Sequence, residues 1–199
     1  MMGTRYLICV QHNNEYKVAK YGQWDGYPSG QGAGILEFLK GEFNKALFIQ
    51  KLDNIFEPTD EQVKAWYRDA GNTRDDGYVD YDVSKRFAAN HPSLSRGAGS
   101  DILGIIQNSE SPIPMRKYLE FAAESLFCEW AYVIDLDKNT FEVFQGFNKA
   151  PLDSSERFAS VTSPDSDEGY YQVKFLESFD LDNLPSEEDF IAQLEREED

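Results

Sequence analysis

Thr4 to Gln11 reads TRYLICVQ and Glu15 to Tyr21 reads EYKVAKY, with His12-Asn13-Asn14 between them. Two β-rich runs separated by residues that tolerate positive φ predict a hairpin. The first run is almost continuously apolar, which predicts a central strand covered on both faces. The second alternates, with Tyr16 and Val18 opposed to Lys17, and suits a half-exposed neighbour.

A second hairpin lies far downstream. Cys128 to Leu136 (CEWAYVIDL) and Thr140 to Gln145 (TFEVFQ) are strands joined at Asp137-Lys138-Asn139. Trp130, Tyr132, Ile134 and Leu136 share one face by their two-residue spacing. Gly169 to Phe175 is expected to be a last strand. Between the hairpins the period changes to that of helices. Ile35-Leu36-Phe38-Leu39 begins one, and Phe43, Ala46, Leu47, Ile49 and Leu52 mark a second. Thr59 and Gln62 form a capping box for a third, with Val63, Trp66 and Tyr67 on its apolar side. Asp82 to Asn90, Asp101 to Gln107 and Met115 to Leu126 are further helical segments, separated by loops such as Gly71 to Gly77 and His91 to Gly99. Strands, helices, then strands is an α+β order. The expected architecture is one antiparallel sheet from the N-terminal and C-terminal hairpins, with the helices packed on one face. Residues 1–180 form a single domain in this reading, and 181–199 an acidic helix or tail with Phe190, Ile191 and Leu194 as its apolar stripe.

Composition narrows the function. The 199 residues include 19 Lys and Arg against 36 Asp and Glu, a net charge of −17. A chain of this length buries roughly 70% of its unfolded surface without a metal or disulfide staple. The charge repels a phosphate backbone, and Arg68, Arg74, Arg86 and Arg96 are scattered among acids, so nucleic acid is not an expected partner. Cys9 and Cys128 sit in apolar runs and read as buried thiols in a reducing compartment. With no signal-peptide core and no apolar run near the ~20 residues of a membrane span, the expected location is the cytoplasm, without a membrane partner.

The most site-like stretch runs from Tyr21 to Gly32 (YGQWDGYPSGQG). Its glycines let the backbone approach a ligand, and Ser29-Gly30-Gln31-Gly32 leads into a helix whose first amides favour an anion. Trp24 and Tyr27 can stack on a flat group and Asp25 can accept a proton. The candidate binding set is Arg5, Gln23, Trp24, Asp25, Tyr27, Ser29 and Gln31, with a small anionic or aromatic ligand as its partner. The competing reading is structural: Asp25-Gly26 as a turn, Pro28 as a stiffener, and Gly32 or Gly34 as close-packing positions. Neither the dinucleotide fingerprint nor the P-loop is present, and no cofactor is expected.

Gly3-Thr4-Arg5, followed by the strand pair and Trp24-Asp25-Gly26-Tyr27-Pro28-Ser29-Gly30, resembles an uncharacterised family with a TR…(H/Q)WDGYP opening, found in bacteriophage, bacterial and fungal genomes. HPSLSRGAGSDIL (91–103) and WAYVIDLDKNTFEVFQG (130–146) extend the resemblance over residues 3–147. It implies no activity. Many phage members carry His where this chain has Gln23, so no catalytic or metal role transfers to that position.

Arg5 in an apolar strand needs a partner, and Asp25 is the natural one. Gly3-Thr4 would suit an N-terminal nucleophile hydrolase using Thr4, or Asp25 with Arg5. The acidic charge would suit an inhibitor that covers a basic protein surface. His12 and His91 lack metal-ligand companions and read as exposed. Asp135 to Asn139 lacks the glycine and the final Glu of a calcium loop. Asp75-Asp76, Asp80 and Asp82 read as a solvated acidic loop, and no metal site is expected.

Overall fold

The computed structural model describes residues 3–74, 76–165 and 169–195. Two hairpins form as the local signals dictate. β1 (Tyr6–His12) turns through Asn13 and Asn14, both at positive φ, into β2 (Glu15–Gly22). β5 (Trp130–Asp135) turns through Asn139, also at positive φ, into β6 (Thr140–Gln145). Between them lie α1 (Ala33–Gly41), α2 (Lys45–Leu52), a two-residue β3 (Ile55–Phe56), α3 (Asp60–Asp69), α4 (Tyr81–Asn90), α5 (Asp101–Asn108) and β4 (Ile113–Pro114). The capping box of α3 closes from both sides, at 2.8 Å from Thr59 N–H to Gln62 and 3.2 Å in return. β7 (Lys174–Asp180) and α6 (Glu187–Leu194) complete the fold. The class is α+β.

The sheet order is β2-β1-β5-β6-β7. Its centre corrects the all-antiparallel expectation. β1 pairs with β5 in parallel, from Tyr6 opposite Trp130 to Gln11 opposite Asp135. Each hairpin is antiparallel by its own turn. The joint between them is a crossover through the helical block, and a crossover can return the chain parallel.

β1 is covered on both faces, as its composition demands, and Tyr6 to Val10 are all buried. The two-residue period splits its side chains between two cores. Tyr6, Ile8 and Val10 meet α1, α2, α5 and α6 through Ile35, Leu36, Phe48, Ile102, Ile106 and Phe190. Leu7 and Cys9 meet Phe121, Cys128, Val133, Phe144, Phe158 and Val173, from segments mostly without regular structure. The helices therefore cover one face, as expected, and loops cover the other. α6 is no loose tail, since Phe190 is fully buried and stacks on Phe141 at 5.6 Å. Residues 196–199 of the expected acidic tail lie outside the described residues, as does Asp75 of the acidic loop.

Three local expectations change for stated reasons. A bulge between Val10 and Gln11 leaves Lys17 as the extra residue of β2, so Tyr16 and Val18 sit on opposite faces. Tyr16 stacks on Phe158 in the second core. Met115 to Leu126 is not a helix; only a 3₁₀ turn over Leu119–Ala123 forms. The amides of Met115 and Tyr118 donate to the Phe56 and Ala19 carbonyls, which ties the start of this segment to β3 and β2. The last strand begins at Lys174, because Tyr171 and Val173 donate to Asn148 and Ala122 outside the sheet.

The loop-covered face contains a buried ion cluster. Arg157 donates to Asp135 Oδ2 at 2.5 Å, to Glu142 Oε2 at 2.6 Å and Oε1 at 2.7 Å, and also to Gln11. Burial opposes the guanidinium's charge, and the hydrogen bonds it donates to Glu142 and Asp135 outweigh that and hold it protonated. Asp135 also accepts from the amides of Asp137 and Lys138, which shapes the β5–β6 turn. This cluster pins the loop around residue 157 to three strands. Replacing Arg157 with Met leaves two buried carboxylates uncompensated, and the expected cost in urea unfolding is about 3–5 kcal/mol. Adding Asp135→Asn to that variant should recover part of it.

Candidate functional site

The Tyr21–Gly32 stretch is a strand-to-helix connection, as its composition indicates. β2 ends at Gly22, a single π-type turn covers Pro28–Gly32, and α1 follows without a break. Gly26 is buried: its amide donates to the Thr4 carbonyl at 3.1 Å and its carbonyl accepts from the Tyr132 hydroxyl at 2.8 Å. A Cβ there would stand 2.6 Å from the Tyr6 ring and 2.7 Å from the Thr4 carbonyl, so only glycine fits. Gln31 reaches across the turn. Its side chain donates to the Trp24 carbonyl at 3.3 Å and accepts from the Ser100 amide at 2.7 Å, fastening the 95–100 loop to the connection.

The ligand-facing groups of this stretch are otherwise engaged or turned outward. Trp24 and Tyr27 are 48% and 39% exposed, and Gln23 is half-buried. Asp25, at positive φ, accepts from the Tyr27 hydroxyl at 3.2 Å, and its charge holds the Tyr27 pKa up. The amide expected to receive an anion is occupied: Ser29 N–H and Oγ donate to Glu195 Oε1 at 2.8 and 2.7 Å. Five surface clefts of about 250 to 570 Å³ have no residue from 22–32 in their walls.

The expected Arg5–Asp25 pair does not form. Arg5 precedes β1 and shares the parity of Leu7, so it points to the loop-covered face, where its guanidinium lies 4.7 Å over the Phe127 ring. Gly26 packs on Tyr6, which faces the opposite way. No hydrogen bond or ion pair joins the side chains of Thr4, Arg5 and Asp25 among the described residues. His91 is half-buried rather than exposed, stacked 4.4 Å from Trp66. His12 is half-buried too, with Nδ1 3.3 Å from Asp137 Oδ1. Among the described residues no group of three or more His, Cys, Asp or Glu is placed to hold a metal ion.

The structure assembles a different site at the β2 edge. α3 and α4 form a small satellite core around Tyr67 and Phe87, whose rings stack at 3.8 Å with 6° between planes. Between this satellite, β2 and the 94–97 segment opens a cleft of about 540 Å³. Its aromatic and apolar lining residues include Tyr21, Val63, Tyr67, Phe87, Leu94 and Tyr118, beside the polar Ser84 and Ser95. Its charged lining residues are Lys20, Arg96 and Arg116, and among the described residues no acid lines it.

Lys20 decides the character of this cleft. It is only 5% exposed, yet its side chain has no hydrogen-bond or ion-pair partner among the described residues. Buried charges are ordinarily paired, because desolvating an unpaired one is costly. Burial pushes its pKa down to about 8, and the nearby Arg96 adds to the effect. Arg96 is exposed at the cleft and has no carboxylate partner among the described residues, while Arg116 is held by Asp60 at 2.5 Å. Burial raises the Tyr67 pKa, with Arg96 and Arg116 acting in opposition. In a chain of net charge −17, three cations thus converge on one aromatic cleft. The sequence reading saw only scattered arginines. Lys20 was in principle legible, since it follows Val18 by two residues and so shares its inward face.

No protein-family model, curated protein or solved structure matches the chain. No helix of the described residues is long and apolar enough to cross a membrane.

The Lys20 geometry has a measurable signature. A folded pKa near 8 against 10.5 means that the unfolded chain holds this proton more tightly. The cost to the fold is therefore complete below pH 8 and disappears as pH rises towards 10.5. The gap corresponds to roughly 3 kcal/mol. Lys20→Met is expected to be more stable than the parent in urea unfolding at pH 7, with the difference narrowing between pH 8 and 10. Equal stability at both pH values would show that Lys20 is not desolvated.

Proposed function

We propose that this protein binds a small molecule in the β2-edge cleft, and that the ligand couples an anionic group to a flat, apolar body. The observation that supports this reading most is Lys20, a buried cation with no carboxylate partner among the described residues. An anion supplies what the chain omits. Charge-assisted hydrogen bonds to Lys20 and Arg96 would orient the anion, and the Tyr67–Phe87 stack and Tyr21 would take the flat body. Destabilising, unsatisfied groups are tolerated where binding needs them.

The WDGYP connection has a supporting part in this proposal. Through Gln31 and Ser100 it fixes the loop that carries Arg96, so it positions the site rather than lining it. This is a narrower role than a pocket at Trp24 and Tyr27, and it explains why the motif's polar contacts run to backbone.

The test is calorimetric titration with phenyl phosphate and indole-3-acetate, with benzyl alcohol and benzylamine as neutral and cationic counterparts. The anions are expected to bind and the counterparts not to. Lys20→Met and Arg96→Ala should each weaken anion binding by about tenfold or more, roughly 1.4 kcal/mol. Trp24→Ala should leave it unchanged. Anion binding that is indifferent to Lys20→Met, or lost in Trp24→Ala, would overturn the assignment.

A further inference from the structure

The Lys20 side chain offers more than a positive charge. A largely buried lysine amine, with no acid lining its cleft to keep it protonated, is the arrangement in which a lysine acts as a nucleophile. We propose that Lys20 captures a carbonyl carbon of its ligand as an imine, so that the ligand class is an aromatic or similarly flat aldehyde or ketone bearing a carboxylate or phosphate. This rests on the cleft being the ligand site.

Three features of the cleft carry the inference. First, Lys20 is 5% exposed at the β2 edge and lines this cleft. Second, Arg96 stands exposed in the same walls on another segment, with no carboxylate partner among the described residues, so an anionic group can be held while the carbonyl meets Lys20. Third, the rings of Tyr67, Phe87 and Tyr118 line the same cleft, which gives a flat carbonyl ligand surfaces to stack on. The other polar and titratable residues lining the cleft are Tyr21, Tyr67, Ser84, Ser95, Arg96, Arg116 and Tyr118, and none of them is a carboxylate. The depressed pKa agrees with this picture: relative to an ordinary lysine it raises the neutral fraction at pH 7.5 by roughly two orders of magnitude.

The step balances without an oxidant or a second reactant. The nitrogen lone pair attacks the carbonyl carbon and the C=O π pair moves to oxygen. A proton passes from nitrogen to that oxygen to give the carbinolamine. The C–O bond then breaks, water leaves with a second proton, and the C=N bond forms. Amine and carbonyl give imine and one water.

The probe is 4-carboxybenzaldehyde with sodium cyanoborohydride, read by intact mass and peptide mapping. The expected result is one adduct per chain on the Lys20 peptide, forming at least about tenfold faster than on exposed Lys64, Lys85 or Lys138. Benzoate, an anion without a carbonyl, should protect Lys20. The rate should rise with a midpoint near pH 8. Lys20→Arg has no nucleophilic amine and should lose the adduct. Adducts distributed by exposure, with Lys20 unmodified, would overturn the imine. If benzoate binding nevertheless persists and depends on Lys20, the ligand site stands and only its covalent chemistry falls. If benzoate binding is absent as well, both readings fall.

Discussion

β1 carries apolar side chains on both faces, and most of the molecule is arranged around that condition. A strand of this kind needs a neighbour on each side and a layer above and below it. β2 and β5 supply the neighbours. α1, α2, α5 and α6 supply one layer, and the segments around Phe121, Phe158 and Val173 supply the other. The second layer has little regular secondary structure, so polar groups hold it where a helix would use its own ladder. The Arg157 cluster is the clearest instance, joining one loop to β1, β5 and β6 through Gln11, Asp135 and Glu142. Such a cluster contributes placement more than net stability, because desolvation offsets much of its attraction.

The same condition creates the cleft. β2 is an edge strand, and edge strands need cover against unwanted pairing. Part of that cover is the Tyr118 amide on the Ala19 carbonyl, and part is the α3–α4 satellite. The satellite is small and stacked largely on itself, so it leaves a space beside the strand. Lys20 lies where β2's inward face meets that space.

What the sequence disclosed depended on range. Both hairpins, the Asn13-Asn14 turn and the Thr59–Gln62 capping box are set by neighbours within a few residues, and all were legible. The parallel joint of β1 and β5 depends on the path of the whole helical block, and no local pattern encodes it. The bulge at Lys17 is set by cross-strand register, so the alternation of EYKVAKY misplaced Tyr16. The Tyr21–Gly32 stretch was legible as a strand-to-helix connection, but whether Ser29 stood open depended on Glu195, at the other end of the chain. The cleft is the extreme case. Lys20, Tyr67, Phe87, Arg96 and Arg116 come from five segments, and each looks ordinary in its own surroundings.

The parallel pairing also has a bearing on time. Tyr6 waits for Trp130, and Arg5 for Glu129, 124 positions later. At ribosomal speeds of about 5–20 residues per second, the first hairpin exists for roughly 5–22 s before its central partner begins to be made. During that interval the β5-facing edge of β1 is unpaired, and Leu7 and Cys9 lack most of their eventual cover. An early companion that shields this edge would therefore matter to the nascent chain in a way that the finished molecule, with the strand enclosed on every side, no longer displays.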